Sequence, residues 1–205
     1  MPVFRGGLYQ APQGCEVDFF FIFELTGCGF KRFCTSAVKE KLFIGNGNGM
    51  LQMGGQEYPY QQGDIFNLEN TGEKIIVDTS VDSVLIRVGG HWSDPSGDCG
   101  VFELDNSEKS ENIGDPVDYP RTTNFDNHYH DCDEYWIIFK GDALAVSENK
   151  FYHLRKGDCL FTAQGSHHDL PQIFEKIHGV YLETSLKGLK RKGHLWSRTH
   201  GPAES

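Results

Sequence analysis

"NHYHDCDEYWIIFKG", residues 127–141, sets two histidines, three acids and a cysteine directly before a run of residues that favour burial. In an extended chain alternate side chains share a face. His128 and His130 therefore point the same way, roughly 7 Å apart along a strand, and Glu134 has the same parity. Imidazoles with a carboxylate are the usual donor set for a transition-metal ion. The run that follows is apolar on both faces. Tyr135, Ile137 and Phe139 look one way, Trp136 and Ile138 the other, so both faces of this strand are expected to be covered. Trp136 and Ile138 share the parity of Glu134 and are predicted to line an interior, with Trp136 filling a core or shaping a pocket. A fourth donor must come from elsewhere, and "AQGSHHDLP", residues 163–171, offers His167 and His168.

Working outward, short apolar runs such as "DFFFIFEL", "KIIV", "SVLIRV" and "GVYLET" recur between Gly, Asn and Asp clusters. No segment sustains a helical i, i+3, i+4, i+7 pattern. This cadence predicts an all-β sandwich or barrel. A repeat is also visible. Sliding the chain by 94 positions, the distance from Cys34 to His128, lays Gly157 and Asp158 on Gly63 and Asp64, Gly141 on Gly47, and Glu134 on Glu40. Two copies of one β-rich unit are expected, at residues 10–100 and 105–200, with domains at 1–103 and 104–205. The charged, proline-containing stretch 104–121 is the candidate linker.

The histidine stretch resembles the first motif of the cupin superfamily: Gly, five residues, His-x-His, three or four residues, Glu, six residues, Gly. His128, His130, Glu134 and Gly141 fit, with Thr122 in place of the opening Gly. The second cupin motif is similar to residues 157–172. Gly157, Gly165 and His168 fit, while Ala163 and Gln172 replace its Pro and Asn. The resemblance implies a double-stranded β-helix, or jelly-roll, barrel, duplicated here as a bicupin. It also implies a divalent transition metal (Fe, Mn, Ni or Zn) held by His128, His130, Glu134 and His168. In the first half Cys34, Ser36 and Lys74 stand where His128, His130 and His168 fall, and only Glu40 is retained. That half is expected to be a metal-free barrel.

The net charge of −10 argues against a nucleic-acid partner. "FFFIF", residues 19–23, lies between Asp18 and Glu24 and is too short to span a bilayer, so no membrane partner is expected. Six cysteines form no C-x-x-C pair, which fits reduced thiols and a cytoplasmic protein, with Cys132 and Cys159 buried. Asp131 and Asp133 read as exposed turn acids, and His167 and Asp169 as an outward-facing turn. The tail gathers Lys187, Lys190, Arg191, Lys192 and Arg198 around His194, Trp196 and His200. It is expected to pack across a barrel or a neighbour, or else to bind an anionic substrate. Apolar strands in a small barrel favour a homodimer. The expected partner at the site is a small polar molecule. Three chemistries fit: a dioxygenase-like oxidoreductase, a sugar or sugar-phosphate isomerase, and a non-catalytic small-molecule binder. Tyr135, Tyr152 and Tyr181 stand as unranked candidates for a general base.

Overall fold

The computed structural model describes residues 3–6, 11–68, 71–107 and 114–203. Apart from one short helix, every element is a strand. By compactness the chain divides between Trp92 and Ser93. Strand β1 (Val3–Arg5) belongs with the C-terminal unit, where it pairs with Asp158–Leu160.

The first unit holds β2 (Val17–Leu25), β3 (Phe30–Cys34), β4 (Lys39–Asn46), β5 (Asn48–Met53), β6 (Gln56–Gln61), β7 (Ile65–Leu68), β8 (Lys74–Thr79) and β9 (Ser83–Gly90). They form two four-stranded antiparallel sheets, in the orders β2-β9-β4-β7 and β3-β8-β5-β6. Leu42, Ile44, Leu68 and Leu85 from one sheet meet Leu51, Tyr60, Ile75 and Val77 from the other. Alternation along each strand delivers one apolar face to this shared core. Glu40 and Arg87 form a buried ion pair within this unit. Arg87 Nε donates to Glu40 Oε2 at 2.6 Å, and the same guanidinium reaches Glu40 Oε1 (3.0 Å), the Cys34 carbonyl (2.9 Å) and Ser36 Oγ (3.2 Å).

The second unit adds β10 (Cys99–Leu104), β11 (Glu134–Ser147), β12 (Lys150–Arg155), β13 (Asp158–Thr162), β14 (His168–Glu183) and the single-turn α1 (Ser197–His200). Its strands form one sheet, β1-β13-β11-β14-β10, with β12 added on β11. Because β10 pairs with β14 over Cys99–Leu104, the division falls before this strand and not after residue 103. Of the stretch 104–121, residues 108–113 lie outside the described residues; Leu104 closes β10, and Asp115 is buried. The long strands β11 and β14 shift register repeatedly against each other, so the sheet folds over its own core of Trp136, Ile138, Ala143, Leu160, Ile173 and Ile177. Gly141 permits the bend. Its φ is +91°, and a Cβ there would sit 2.2 Å from the Lys176 carbonyl oxygen.

The two units share registers at the 94-residue spacing. Glu40 pairs with Leu68 and Gly89, and Glu134 pairs with Thr162 and Glu183. Gly47 and Gly141 have φ of +92° and +91°, and Gly63 and Gly157 of +93° and +91°. No helix among the described residues is long and apolar enough to cross a membrane.

Candidate metal centre

His128 and His168 face each other in an isolated antiparallel bridge, bonded both ways through their backbones. This bridge carries the histidine segment onto the start of β14. Glu134 opens β11 and His168 opens β14, so both side chains are held at the ends of strands locked in the sheet. The alternation expected from the sequence is present. His128 and His130 turn inward with their Nε2 atoms 3.0 Å apart, while Tyr129 between them turns away and its hydroxyl reaches the Gly201 carbonyl. Donor atoms of His128, His130, Glu134 and His168 all lie within 4.8 Å of one another, and all four residues are buried.

The protonation pattern follows from the partners. His128 Nδ1 lies 2.8 Å from the Asp126 carbonyl, His130 Nδ1 3.0 Å from the Gly193 carbonyl, and His168 Nδ1 3.4 Å from the Ser166 carbonyl. A carbonyl only accepts, so each Nδ1 carries a proton and each ring turns its Nε2 toward the cluster, where a metal ion would find the lone pair. Glu134 Oε2 and His168 Nε2 are 2.7 Å apart, yet neither has a hydrogen-bond partner of acceptable geometry. Buried lone pairs converging without a donor are a poor arrangement unless a cation lies among them. This donor set fits a divalent transition ion.

The electrostatics of the protein atoms alone express the same need. Burial, aided by the nearby His168, pushes His128 down to about 3. Burial also opposes charge on His130, but Glu134 outweighs it and lifts this imidazole to about 9. Burial would raise Glu134, and His168 and His130 instead hold it well below the ordinary carboxylate range. A proton is drawn to the spot that a metal ion fits.

Several supporting groups were invisible in the sequence. Glu183, paired with Glu134 across the sheet, stands 3.6 Å from His130 Nδ1 and accepts from the Asp98 amide at 2.9 Å. Burial keeps Glu183 above the ordinary carboxylate range. His194 stacks on His128, with ring centroids 3.7 Å apart and planes 4° apart, and its Nδ1 lies 3.1 Å from Asp126 Oδ2. Trp196 Nε1 donates to the same carboxylate at 3.0 Å. Only the topology, which returns β14 beside β11 and the tail beside Asp126, brings these groups together.

Two expectations need correction. Asp131 and Asp133 are buried rather than exposed: Arg191 Nε meets Asp131 Oδ2 at 3.0 Å, and Lys187 Nζ meets Asp133 Oδ2 at 2.6 Å. Asp169 is also fully buried, against Arg121 and the Tyr119 hydroxyl, while His167 turns to Asp115 at 2.9 Å. The tail packs across its own unit, with Leu195 bridging Tyr129. Cys132 and Cys159 are buried as expected, and burial with the neighbouring Glu183 pushes the Cys132 thiol up, so it stays protonated.

A cavity of about 290 Å³ opens onto His128 and Glu134. Phe102, Leu104, Phe125, Trp136 and Tyr181 form most of its wall, with Asp98, Glu183 and His194 among them. Trp136 thus serves both core and pocket, as its parity suggested. Of the three tyrosines considered as bases only Tyr181 lines the cavity. Burial and Asp98 push it up to about 12, which leaves it a protonated phenol.

The protein y4oW of Sinorhizobium fredii (strain NBRC 101917 / NGR234), itself uncharacterized, is 36% identical over 205 residues, covering 100% of this chain and 94% of its own length. The chain belongs to the y4oW family. No family model matches it. Among solved structures, this y4oW relative is similar to an IolB-like protein of Salmonella typhimurium (TM-score 0.59, 12% identity, 98% of each chain). It is also similar to the protein Ylba of E. coli (TM-score 0.58, 11% identity, 88% of this chain and 82% of that one). A third is the oxalate decarboxylase of Lactobacillus farciminis (TM-score 0.55, 10% identity, 82% and 76%). At such identities the likeness speaks for the fold, and it agrees with the cupin-type barrel that the histidine motif implied.

Proposed function

We propose that the second unit is a metal-dependent cupin enzyme in which His128, His130, Glu134 and His168 hold one divalent transition ion. The observation that carries this reading is the convergence of buried lone pairs, with Glu134 Oε2 and His168 Nε2 left without hydrogen-bond partners beside an open cavity. Such an ion supplies Lewis acidity and, if iron or manganese, one-electron chemistry toward a small molecule that reaches it. The residues of the chain do the rest. The carbonyls of Asp126, Gly193 and Ser166 fix the tautomers, His194 holds the plane of His128, and Phe125 with Trp136 forms an apolar wall beside the donors.

A dioxygenase-like oxidoreductase is the reading favoured over a sugar-phosphate isomerase. No Lys or Arg is among the described residues lining the cavity, and the tail's Arg191 and Lys187 are engaged by Asp131 and Asp133. Apart from the ion itself, a phosphate would find no cationic Lys or Arg side chain there among the described residues. Oxygen-electrode traces on the iron-loaded protein test this choice. Uptake that depends on an added organic substrate is expected. Turnover that runs equally well without oxygen, and with zinc or nickel in place of iron, replaces it with Lewis-acid isomerisation.

We further infer that the units are two copies of one barrel, the first without a metal. The shared registers and turn conformations at the 94-residue spacing support this. At that spacing Cys34, Ser36 and Glu40 answer to His128, His130 and Glu134, and the Arg87 guanidinium binds groups of all three. On this reading an internal cation occupies the place of the ion, which explains why Glu40 persists without its histidine companions.

Asp126 offers a test of how the site is supported. Its carboxylate lies 3.3 Å from His128 Nδ1 and receives His194 and Trp196. Asp126→Ala is expected to weaken metal affinity by about 10–100-fold in chelator competition. Unchanged affinity would mean that the backbone carbonyl alone orients His128.

A further inference from the structure

The wall of the cavity carries information about what enters it, and this step rests on the metal reading above. Three rings stand together in the wall. Phe125 meets Trp136 edge-on, centroids 5.1 Å apart and planes at 79°, and Phe102 lies 6.2 Å from the same indole. Leu104 and the body of Tyr181 continue the apolar surface. Aromatic walls favour a ring, through area burial and edge-to-face contact. The volume of about 290 Å³ suits a molecule of one ring with its substituents, given that a cavity of about 150 Å³ accepts benzene.

Charge narrows the class further. The wall holds three carboxylates, Asp98, Glu134 and Glu183, and no Lys or Arg among the described lining residues. Asp98 and Glu134 alone match the formal charge of one divalent ion, so no surplus positive charge is left on the wall for an added anion. An additional anionic group there would face Glu183 and the exposed Asp98 with no cationic side chain among the described lining residues to offset them. Asp98 is not free to move aside: its Oδ1 accepts from the Cys99 amide at 2.8 Å, and its own amide is bonded to Glu183. An uncharged ring with adjacent oxygens adds no net charge on entering, since a proton given up by a hydroxyl on chelation passes to a carboxylate of the wall, and it presents two donors to the ion.

We propose that the cavity selects a small uncharged ring bearing adjacent hydroxyl or carbonyl oxygens, and rejects the same ring when it carries a carboxylate. The expected small polar molecule becomes a neutral catechol-type chelator.

Zinc-loaded protein, which binds without turning over, is titrated calorimetrically with catechol and with 3,4-dihydroxybenzoate, and zinc content is measured on the same sample. Catechol is expected to bind at least about tenfold more tightly, because the added carboxylate faces the acidic wall. In a Leu104→Arg variant, which puts a cation on the wall, that gap should shrink. Equal or tighter binding of the benzoate to zinc-containing protein overturns the proposal and leaves the metal reading standing. So does an unchanged gap in a folded Leu104→Arg protein. Should the variant fail to fold, the wild-type pair still decides. Protein that takes up no zinc but keeps the preference for catechol sinks the metal reading and upholds the selectivity of the wall.

Discussion

His168→Ala and His128→Ala are each expected to reduce bound metal from a single ion per chain to near background, measured by elemental analysis of the purified protein. The expectation follows from the geometry of the cluster, in which each imidazole is fixed by a backbone carbonyl and none can swing to replace a neighbour. Removing one of four donors leaves two imidazoles and a carboxylate in a buried space, with room where the fourth donor stood. His167→Ala is the matched control. It removes an adjacent imidazole that is turned to Asp115, and it should leave metal content intact. Chelation gives a second readout. An ion at a hundredfold its dissociation constant stabilises the folded state by about 2.7 kcal/mol, so a strong chelator should lower the melting temperature of the wild type. The two ligand variants should melt at the same temperature with and without it. Metal retained in both variants would overturn the ligand assignment.

The two halves of this site differ in how far the sequence discloses them. His128, His130 and Glu134 lie within seven consecutive residues, and strand alternation alone places them on one face. Gly141 is legible for the same local reason, as the point where a strand must bend. His168 comes from another strand, and only the second motif distinguishes it from His167. The supporting groups lie beyond local reasoning. Glu183 reaches His130 through pairing of β11 with β14, and Asp126 meets His194 and Trp196 across the returning tail. The misread acids share this cause. Asp131, Asp133 and Asp169 look like turn residues because their partners, Arg191, Lys187 and Arg121, lie on other segments. The basic tail looked available for an anionic substrate until two of its cations proved to be spent on those acids. The all-β cadence was readable because periodicity is local, while the division before β10 depends on a pairing that joins residues more than eighty apart in sequence, Cys99 and Leu182.

Arg87→Met is expected to destabilise the first unit by about 3–5 kcal/mol, because it leaves the Glu40 carboxylate buried without its cation. The pair is closed on every side. The Glu40 side chain is 0% exposed and that of Arg87 7%, the amide of Ala37 donates to Glu40 Oε1 at 2.8 Å, and the guanidinium lies over the rings of Phe33 and Phe19 at 4.4 and 5.1 Å. Urea unfolding followed through the first-unit signal of Trp92 reads the loss as a lower midpoint. The informative comparison is the double variant Arg87→Met, Glu40→Leu. A buried ion pair repays its desolvation only in part, so replacing both charges by apolar groups should recover most of what the single change loses. Recovery would mean that the pair contributes little net stability and that what the fold requires is neutrality at this point. That requirement is the one the second unit faces at Glu134, where in the protein alone a proton drawn to His130 supplies the positive charge and a bound ion would take its place. A single variant that costs under about 1 kcal/mol would mean instead that water reaches Glu40, and the likeness between guanidinium and metal would fail with it.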